Sequence, residues 1–392
     1  MTVRLVHCSL AVLLVAASQR AEPPVRIHWE LGPDYPFGIQ DSAMGIVGGA
    51  LISAGGFTRH PLQIVAKYPG AFGGQKSGFT ALTFALSLQE PGRGWERIAD
   101  VPGPPRQAAA AAVVGDALYV VGGFNYTAPH TYREVYRLRK VSGQWRWDRI
   151  SADLPWPVSE PGVAVLDKRI YLVGGADFYR LPSEKSEDFA SERGRTGQPV
   201  GKALLMLDTE KLAAGWQRLP DLPGTSRFDT AVAAARGKIY SLGGVHRTGG
   251  AGYRNAVDSW AFDPATGKWS RLPDAPQGSN RRAVAWRDRY LVLLAGYRYN
   301  LTQYPDGKVT DVYSAEDRKR KSADFFEDTV LVYDTVIQKW SQADGLRERT
   351  SWPMADVAGD RIYALGGEGG PRLFHPATLQ IGTIQTLRAG GR

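Results

Sequence analysis

Cysteine is almost absent: the 392 residues contain one, Cys8, and it lies inside an apolar N-terminal stretch. A mature chain lacking it has no disulfide, no thiol nucleophile and no thiolate metal ligand. Histidine is scarce too, six in all, and no two are close enough in sequence to suggest a metal site. No apolar run beyond the N-terminus is long enough to span a membrane. A Gly-x-Ser-x-Gly elbow and a phosphate-binding glycine loop are missing as well. These absences argue against thiol, serine-hydrolase, metal and nucleotide chemistry.

The N-terminus reads as an address rather than structure. Arg4 gives a positive start, Leu5 to Ala17 is apolar, and Ala16-Ala17-Ser18 offers small residues for cleavage. Residues 1–21 are therefore expected to be a signal peptide, with an exported product, periplasmic or extracellular, formed by residues 22–392 as one domain. The formal charge is +9, but the basic residues are scattered. The one dense run, Arg318-Lys319-Arg320-Lys321, directly follows acidic Glu316-Asp317 and reads as a solvated loop, so no nucleic-acid partner is expected. An overall positive field favours small anionic ligands.

Glycine, proline and tryptophan are plentiful, at 45, 25 and 11 residues, which suits short strands and tight turns. An apolar run ending in a glycine pair recurs at Gly55-Gly56, Gly122-Gly123, Gly174-Gly175, Gly243-Gly244 and Gly366-Gly367, with a weaker copy at Ala295-Gly296. Six such units define a repeat protein whose units must stack to bury their faces. The spacings alternate: 122−55 = 67, 174−122 = 52, 243−174 = 69, 295−243 = 52 and 366−295 = 71. A tryptophan marks the last strand of each unit, at Trp95, Trp147, Trp216, Trp269 and Trp340, and its expected role is packing between neighbours. The sixth unit lacks one. His28-Trp29-Glu30-Leu31 at the other end of the chain has the right shape to supply it, which would close the ring. The expected architecture is all-β: a six-bladed propeller of four-stranded blades.

The last unit carries a carboxylate and a guanidinium, Glu368 and Arg372, on the tight loop after its glycine pair, a combination found nowhere else in the chain. Loops of this type share one face of the ring with the lead-ins to the first strands. That face collects Arg106, Arg227, Arg281, Arg282 and Arg349 from the lead-ins, and His130, His246, Arg247 and Tyr297 from the loops. An arginine-lined mouth would receive a carboxylate; alternatively, some of these arginines tie neighbouring blades together. The insertions at 177–202 and 297–327 are expected to wall a pocket over the central channel.

The glycine pairs, the Tyr333-Asp334 and Phe262-Asp263 pairs and the spaced tryptophans resemble the kelch repeat. Within kelch proteins, Val101 to Ala108, the stretch Ser322 to Glu327 with Tyr333-Asp334, and Trp340, Trp352 and Gly366-Gly367-Glu368 resemble the bacterial N-acetylneuraminate epimerases (sialic acid mutarotases). The 322–334 stretch falls late in this chain, the arrangement of a circularly permuted ring. The resemblance implies Glu368 as general acid/base and Arg372, helped by Arg106, as partner of a sugar-acid carboxylate. His246, His130 and Tyr297 become candidates for substrate contact and for the second proton transfer. Here the Glu-to-Arg gap is shorter than in the family, and Leu373-Phe374-His375 stands where an aspartate often follows. Anomer exchange needs no cofactor or metal, and none is expected. The alternative reading is a non-catalytic propeller that binds glycan or protein on the same face.

Overall fold

The computed structural model describes residues 24–59, 61–72, 78–178, 194–195, 197–247, 252–277, 280–369 and 375–387. Six sheets, each built on four antiparallel strands, surround a central axis. Blade 1 is Ala43–Val47, Ala50–Ala54, Thr83–Ser87 and Trp95–Arg97, and the next four follow in chain order. The innermost strands of successive blades pack side by side, and that of blade 6, Met354–Ala358, returns to that of blade 1.

Second strands are apolar without alternation because a blade covers each of their faces. Ala117–Val121 and Tyr290–Leu294 are buried at every position. First strands are built from small residues, as in Ala110–Val114 and Ala231–Ala235, where six strands converge on the axis. The glycine pair follows from the same crowding. The second glycine of blade 2, Gly123, donates its N–H to Val158 O of the next blade at 2.9 Å. A Cβ on Gly122 would lie 2.2 Å from that carbonyl oxygen, and its φ of +66° already disfavours other residues.

The N-terminal strand closes the ring as expected. Val25–Leu31 pairs antiparallel with Leu379–Thr386 and completes blade 6. The tryptophans form a matching circuit. Trp147, Trp216, Trp269 and Trp340 donate their indole N–H to Ala99, Ala152, Pro220 and Pro273 O, each just past the outer strand of the preceding blade. Trp29 reaches Asp344 O at 3.0 Å and Trp95 reaches Pro33 O at 3.1 Å, so the circuit runs through the closure.

One departure concerns strand number. Blade 4 belongs to a six-stranded sheet, because the blade 5 insertion folds into a hairpin, Leu301–Gln303 and Val309–Asp311. Its first strand runs parallel to the extended third strand of blade 4, with Asn255 opposite Thr302. The insertion satisfies its backbone on a neighbour's sheet edge as well as overhanging the pocket face. Tyr313 stacked on Phe325 at 4.3 Å holds its far end.

Candidate functional site

Just before each first strand the chain makes the same turn, and the six turns form an annulus around the axis. Ala108 N–H donates to Asp41 O at 2.9 Å, Glu160 N–H to Ala108 O at 2.9 Å, and Asp229 N–H to Glu160 O at 3.0 Å. Asn280 and Trp352 complete the series, with Trp352 N–H donating to Asn280 O at 2.9 Å. Asp41, Ala108, Glu160, Asp229 and Trp352 all have φ between +46° and +55°. That region tolerates Asp and Asn best among residues with a Cβ. The backbone thus aims three carboxylates, Asp41, Glu160 and Asp229, at one space.

The residue before each annulus position pairs with the residue after a glycine pair: Gln40 with Phe57, Gln107 with Phe124, Ser159 with Ala176, Phe228 with Val245, and Ser351 with Glu368. Four of those partners are apolar and belong to or pack against one buried cluster with Phe79, Phe178 and Phe228. Glu368 stands where the repeat otherwise puts a hydrophobe. Its backbone is clamped to Ser351, with Glu368 N–H to Ser351 O at 3.0 Å and Ser351 N–H to Glu368 O at 2.6 Å.

Above the annulus lies a cavity of about 360 Å³, lined by these four carboxylates, Arg247, and an aromatic wall that includes Tyr126, Phe178, Tyr253, Tyr299 and Trp352. Phe124 stacks on Phe178 at 4.3 Å and Tyr253 on Tyr299 at 5.6 Å. Such a pocket offers flat apolar faces with a few convergent polar groups, the usual form of a small-molecule site. Below it, the narrower channel is lined by first-strand residues, with Arg282 at its edge. The Arg282 guanidinium lies 4.3 Å from the centre of the Trp352 ring, and its Nε has no hydrogen-bond partner.

Burial drives all four carboxyl groups toward the protonated form. Asp41 is pushed up to about 7 by burial and then by the charge of Glu368, against the pull of Arg282. Glu160 and Asp229 rise well above the usual range, chiefly through burial. The charges of Asp229, Asp41 and Glu368 add to this at Glu160, while Arg247 opposes it. At Asp229, Asp41 and Glu368 add and Arg282 opposes. Glu368 is raised by burial and eased by Arg59. Burial and mutual charge thus favour proton uptake by this group of carboxyls, which can accept hydrogen bonds when ionised and donate them when protonated. Among the described residues, no group of three or more His, Cys, Asp or Glu is arranged to hold a metal ion. No helix among them is long and apolar enough to cross a membrane.

The arginine-lined mouth is not what the structure shows. Arg106 is 3 % exposed and donates to Pro104 O, Gly122 O and Glu134, with its guanidinium 4.0 Å from the centre of the Tyr132 ring. Arg227 is bound to Thr225 O, Gly243 O and Asp258, and Arg281 to Thr329 and Glu327. These lead-in arginines tie strands together inside a blade and do not line the cavity. Asp177 is likewise held by Arg195, at 2.6 Å. The basic run is solvated as expected, with Lys319 on Glu316 at 2.9 Å and Arg320 on Asp317 at 3.3 Å.

Of the other expected residues, Glu368 lines the cavity, while Arg372 lies outside the described residues. So does most of the 177–202 insertion. His246 Nδ1 is 2.9 Å from Ser226 O, and its neighbour Arg247 faces the cavity instead. His130 follows a cis Ala128-Pro129 bond and accepts from Asn125 N–H at 2.9 Å through its backbone, away from the cavity lining. Tyr297 packs on Tyr299, 4.9 Å between ring centres, one layer behind the wall, where burial and the charge of Glu368 raise its phenol. Sequence reasoning missed Asp41, Glu160 and Asp229. Their signal was an acid two residues before each of three first strands, visible only once the repeats are aligned on those strands.

Comparison with known proteins agrees with this architecture. The N-acetylneuraminate epimerase family model matches residues 197–346 and the Kelch motif residues 105–146. The N-acetylneuraminate epimerase of Yersinia pestis (strain Pestoides F) is 31% identical over 205 residues, covering 46% of this chain and 50% of that protein. The match thus spans about half the length of that relative. The N-acetylneuraminate epimerase of Salmonella enteritidis PT4 is 23% identical over 318 residues, covering 73% of this chain and 78% of its own. The solved structure titled "Structure of YjhT" superposes with a TM-score of 0.62 at 16% identity, over 91% of this chain and 99% of that one, a likeness of fold. The chain is a kelch-repeat, six-bladed β-propeller that resembles the bacterial N-acetylneuraminate epimerases.

Proposed function

We propose that the protein is a sugar-acid mutarotase that exchanges the anomers of a sialic acid or close relative, with Glu368 as general acid/base. The observation that carries this reading is the placement of Glu368: a lone carboxylate at an otherwise apolar repeat position, lining a pocket whose other carboxyl groups are pushed by burial toward the protonated form. The sequence similarity to N-acetylneuraminate epimerases supports the same substrate class.

The reaction needs only proton traffic. A carboxylate removes the anomeric hydroxyl proton, the bond from the anomeric carbon to the ring oxygen breaks, and its electron pair leaves on that oxygen. A carboxylic acid protonates the oxygen as the open-chain ketone forms. Closure on the opposite face reverses both transfers, so neither group is consumed. Acid–base assistance of this kind contributes about 10²–10⁴-fold. Aromatic walls pack against the C–H faces of the ring, and protonated tyrosines such as Tyr126 supply donors. Arg372 is proposed to hold the substrate carboxylate, with Arg247, which lines the cavity, in the supporting role first given to Arg106. Export through residues 1–21 belongs to the same proposal and would place the protein where free sugar acids arrive.

The test follows α-N-acetylneuraminic acid, freshly released by a sialidase, by NMR with and without the protein. Faster growth of the β signal than in buffer supports the reading. Exchange at the buffer rate with a ligand-induced rise in melting temperature would instead favour a non-catalytic glycan-binding propeller.

A further inference from the structure

The proposed reaction needs two proton-transfer groups, and the similarity to epimerases supplies only Glu368. We propose that Asp229 is the second, the acid that protonates the ring oxygen; this deepens the mutarotase reading and rests on it.

Three features single out Asp229 among the annulus acids. It is the most enclosed, 5 % exposed, yet it lines the cavity. Its Oδ2 accepts a hydrogen bond from Asn280 Nδ2 at 3.1 Å, which fixes the carboxyl orientation. Its Oδ1 is buried and has no protein partner. A buried carboxyl oxygen without a partner is costly unless it carries a proton or meets a ligand, and Asp229 is one of the residues that line the cavity. Asp41, by contrast, has Oδ2 engaged by Gln40 Nε2 at 3.2 Å and is more open. Glu160 also has an unpartnered oxygen, Oε2, but no side-chain hydrogen bond of the Asn280 kind orients it.

The division of labour follows from environment. Asp229 and Glu368 reach one cavity from different blades, and the charge of Glu368 disfavours ionisation of Asp229. One protonated and one ionised carboxyl is the state the ring-opening step requires. Glu368 has Arg59 to support its charge. Asp229 is the more deeply buried, and burial together with the charge of Glu368 favours its protonated form. In ring opening Asp229 gives its proton to the ring oxygen while Glu368 gains one from the anomeric hydroxyl; closure returns both.

The experiment compares wild type, Asp229→Asn and Asp229→Glu in α-to-β exchange of N-acetylneuraminic acid across pH 5–9, with ligand-induced melting shifts measured in parallel. Asp229→Asn is isosteric and should slow exchange by about 10²-fold or more, the usual scale for a general acid, while the ligand still raises the melting temperature. Wild-type activity should fall on the alkaline side as the acid loses its proton, and that limb should be absent from the residual Asp229→Asn activity. Asp229→Glu should recover part of the rate and restore the limb, which a structural role would not do. An active wild type with an unchanged Asp229→Asn rate, or an alkaline limb that persists in that variant, overturns the assignment while leaving the mutarotase reading intact. Failure of the wild type to speed exchange takes down both.

Discussion

Asp41 and Asp229 occupy the first and fourth of six annulus positions, so they stand opposite each other across the propeller axis, and both line the cavity. The charge of Asp41 raises Asp229, and both feel Arg282 beneath them. In a closed ring of six, no other spacing puts two acids opposite each other. The arrangement bears on stability as well as on chemistry.

Asp41 is raised to about 7 in the folded protein from about 3.8. A carboxyl raised by folding binds more protons in the native state, so its contribution is fully present below about pH 4 and is lost as pH climbs through about 7. Asp41→Asn should therefore stabilise the protein at pH 8, on the order of 4 kcal/mol, and change little at pH 4. Urea titrations at the two pH values measure this; equal effects at both would contradict the assignment.

Glu368→Gln keeps the side-chain shape and the backbone clamp to Ser351 but removes the titrating group. Exchange of N-acetylneuraminic acid anomers should slow by about 10²–10⁴-fold while the sugar acid still raises the melting temperature. Loss of binding with unchanged turnover per bound ligand would assign Glu368 to recognition rather than proton transfer.

Arg227 and Asp258 are both fully buried and paired. Arg227→Ala leaves a carboxylate alone in the interior and should cost about 3–5 kcal/mol. Arg106→Ala should cost less, because Glu134 is 30% exposed and can turn to water. Denaturant midpoints of the two variants test the order.

The closing strand makes a separate prediction. Trp29 is 4% exposed and links blade 6 to blade 5 through Asp344 O. Trp29→Ala should cost about 3–5 kcal/mol in a single cooperative transition, since opening one seam exposes strand edges on both sides. A separate early transition confined to blade 6 would show that closure is not coupled to the rest.

Export predicts a processed N-terminus. Mass spectrometry of protein recovered outside the cytoplasm should find it beginning between Gln19 and Pro24; an intact Met1 in that material would end the proposal.

The repeat count, the closure by the strand at Trp29 and the packing of the tryptophans between blades were legible in the sequence because each is a local pattern that recurs. A glycine pair marks where a backbone must pass close to the next blade, and an indole marks where one blade hydrogen-bonds to the last. Glu368 was legible for the opposite reason, as the one charged residue at a position the repeat keeps apolar or aromatic. The lead-in arginines left two roles open, and Arg106 was given the wrong one, because a guanidinium before a strand can reach outward to a ligand or back to a carbonyl. Only the third dimension, with Gly122 O, Gly243 O and the partner acids in place, decides for the tie. The hairpin that joins blade 4 was hidden too, because its edge partner Asn255 lies 47 residues from Thr302. The acids Asp41, Glu160 and Asp229 stand far apart in sequence as unremarkable turn residues. What makes them one site is ring closure, which brings their turns onto a single annulus and removes the water that would otherwise keep them ionised.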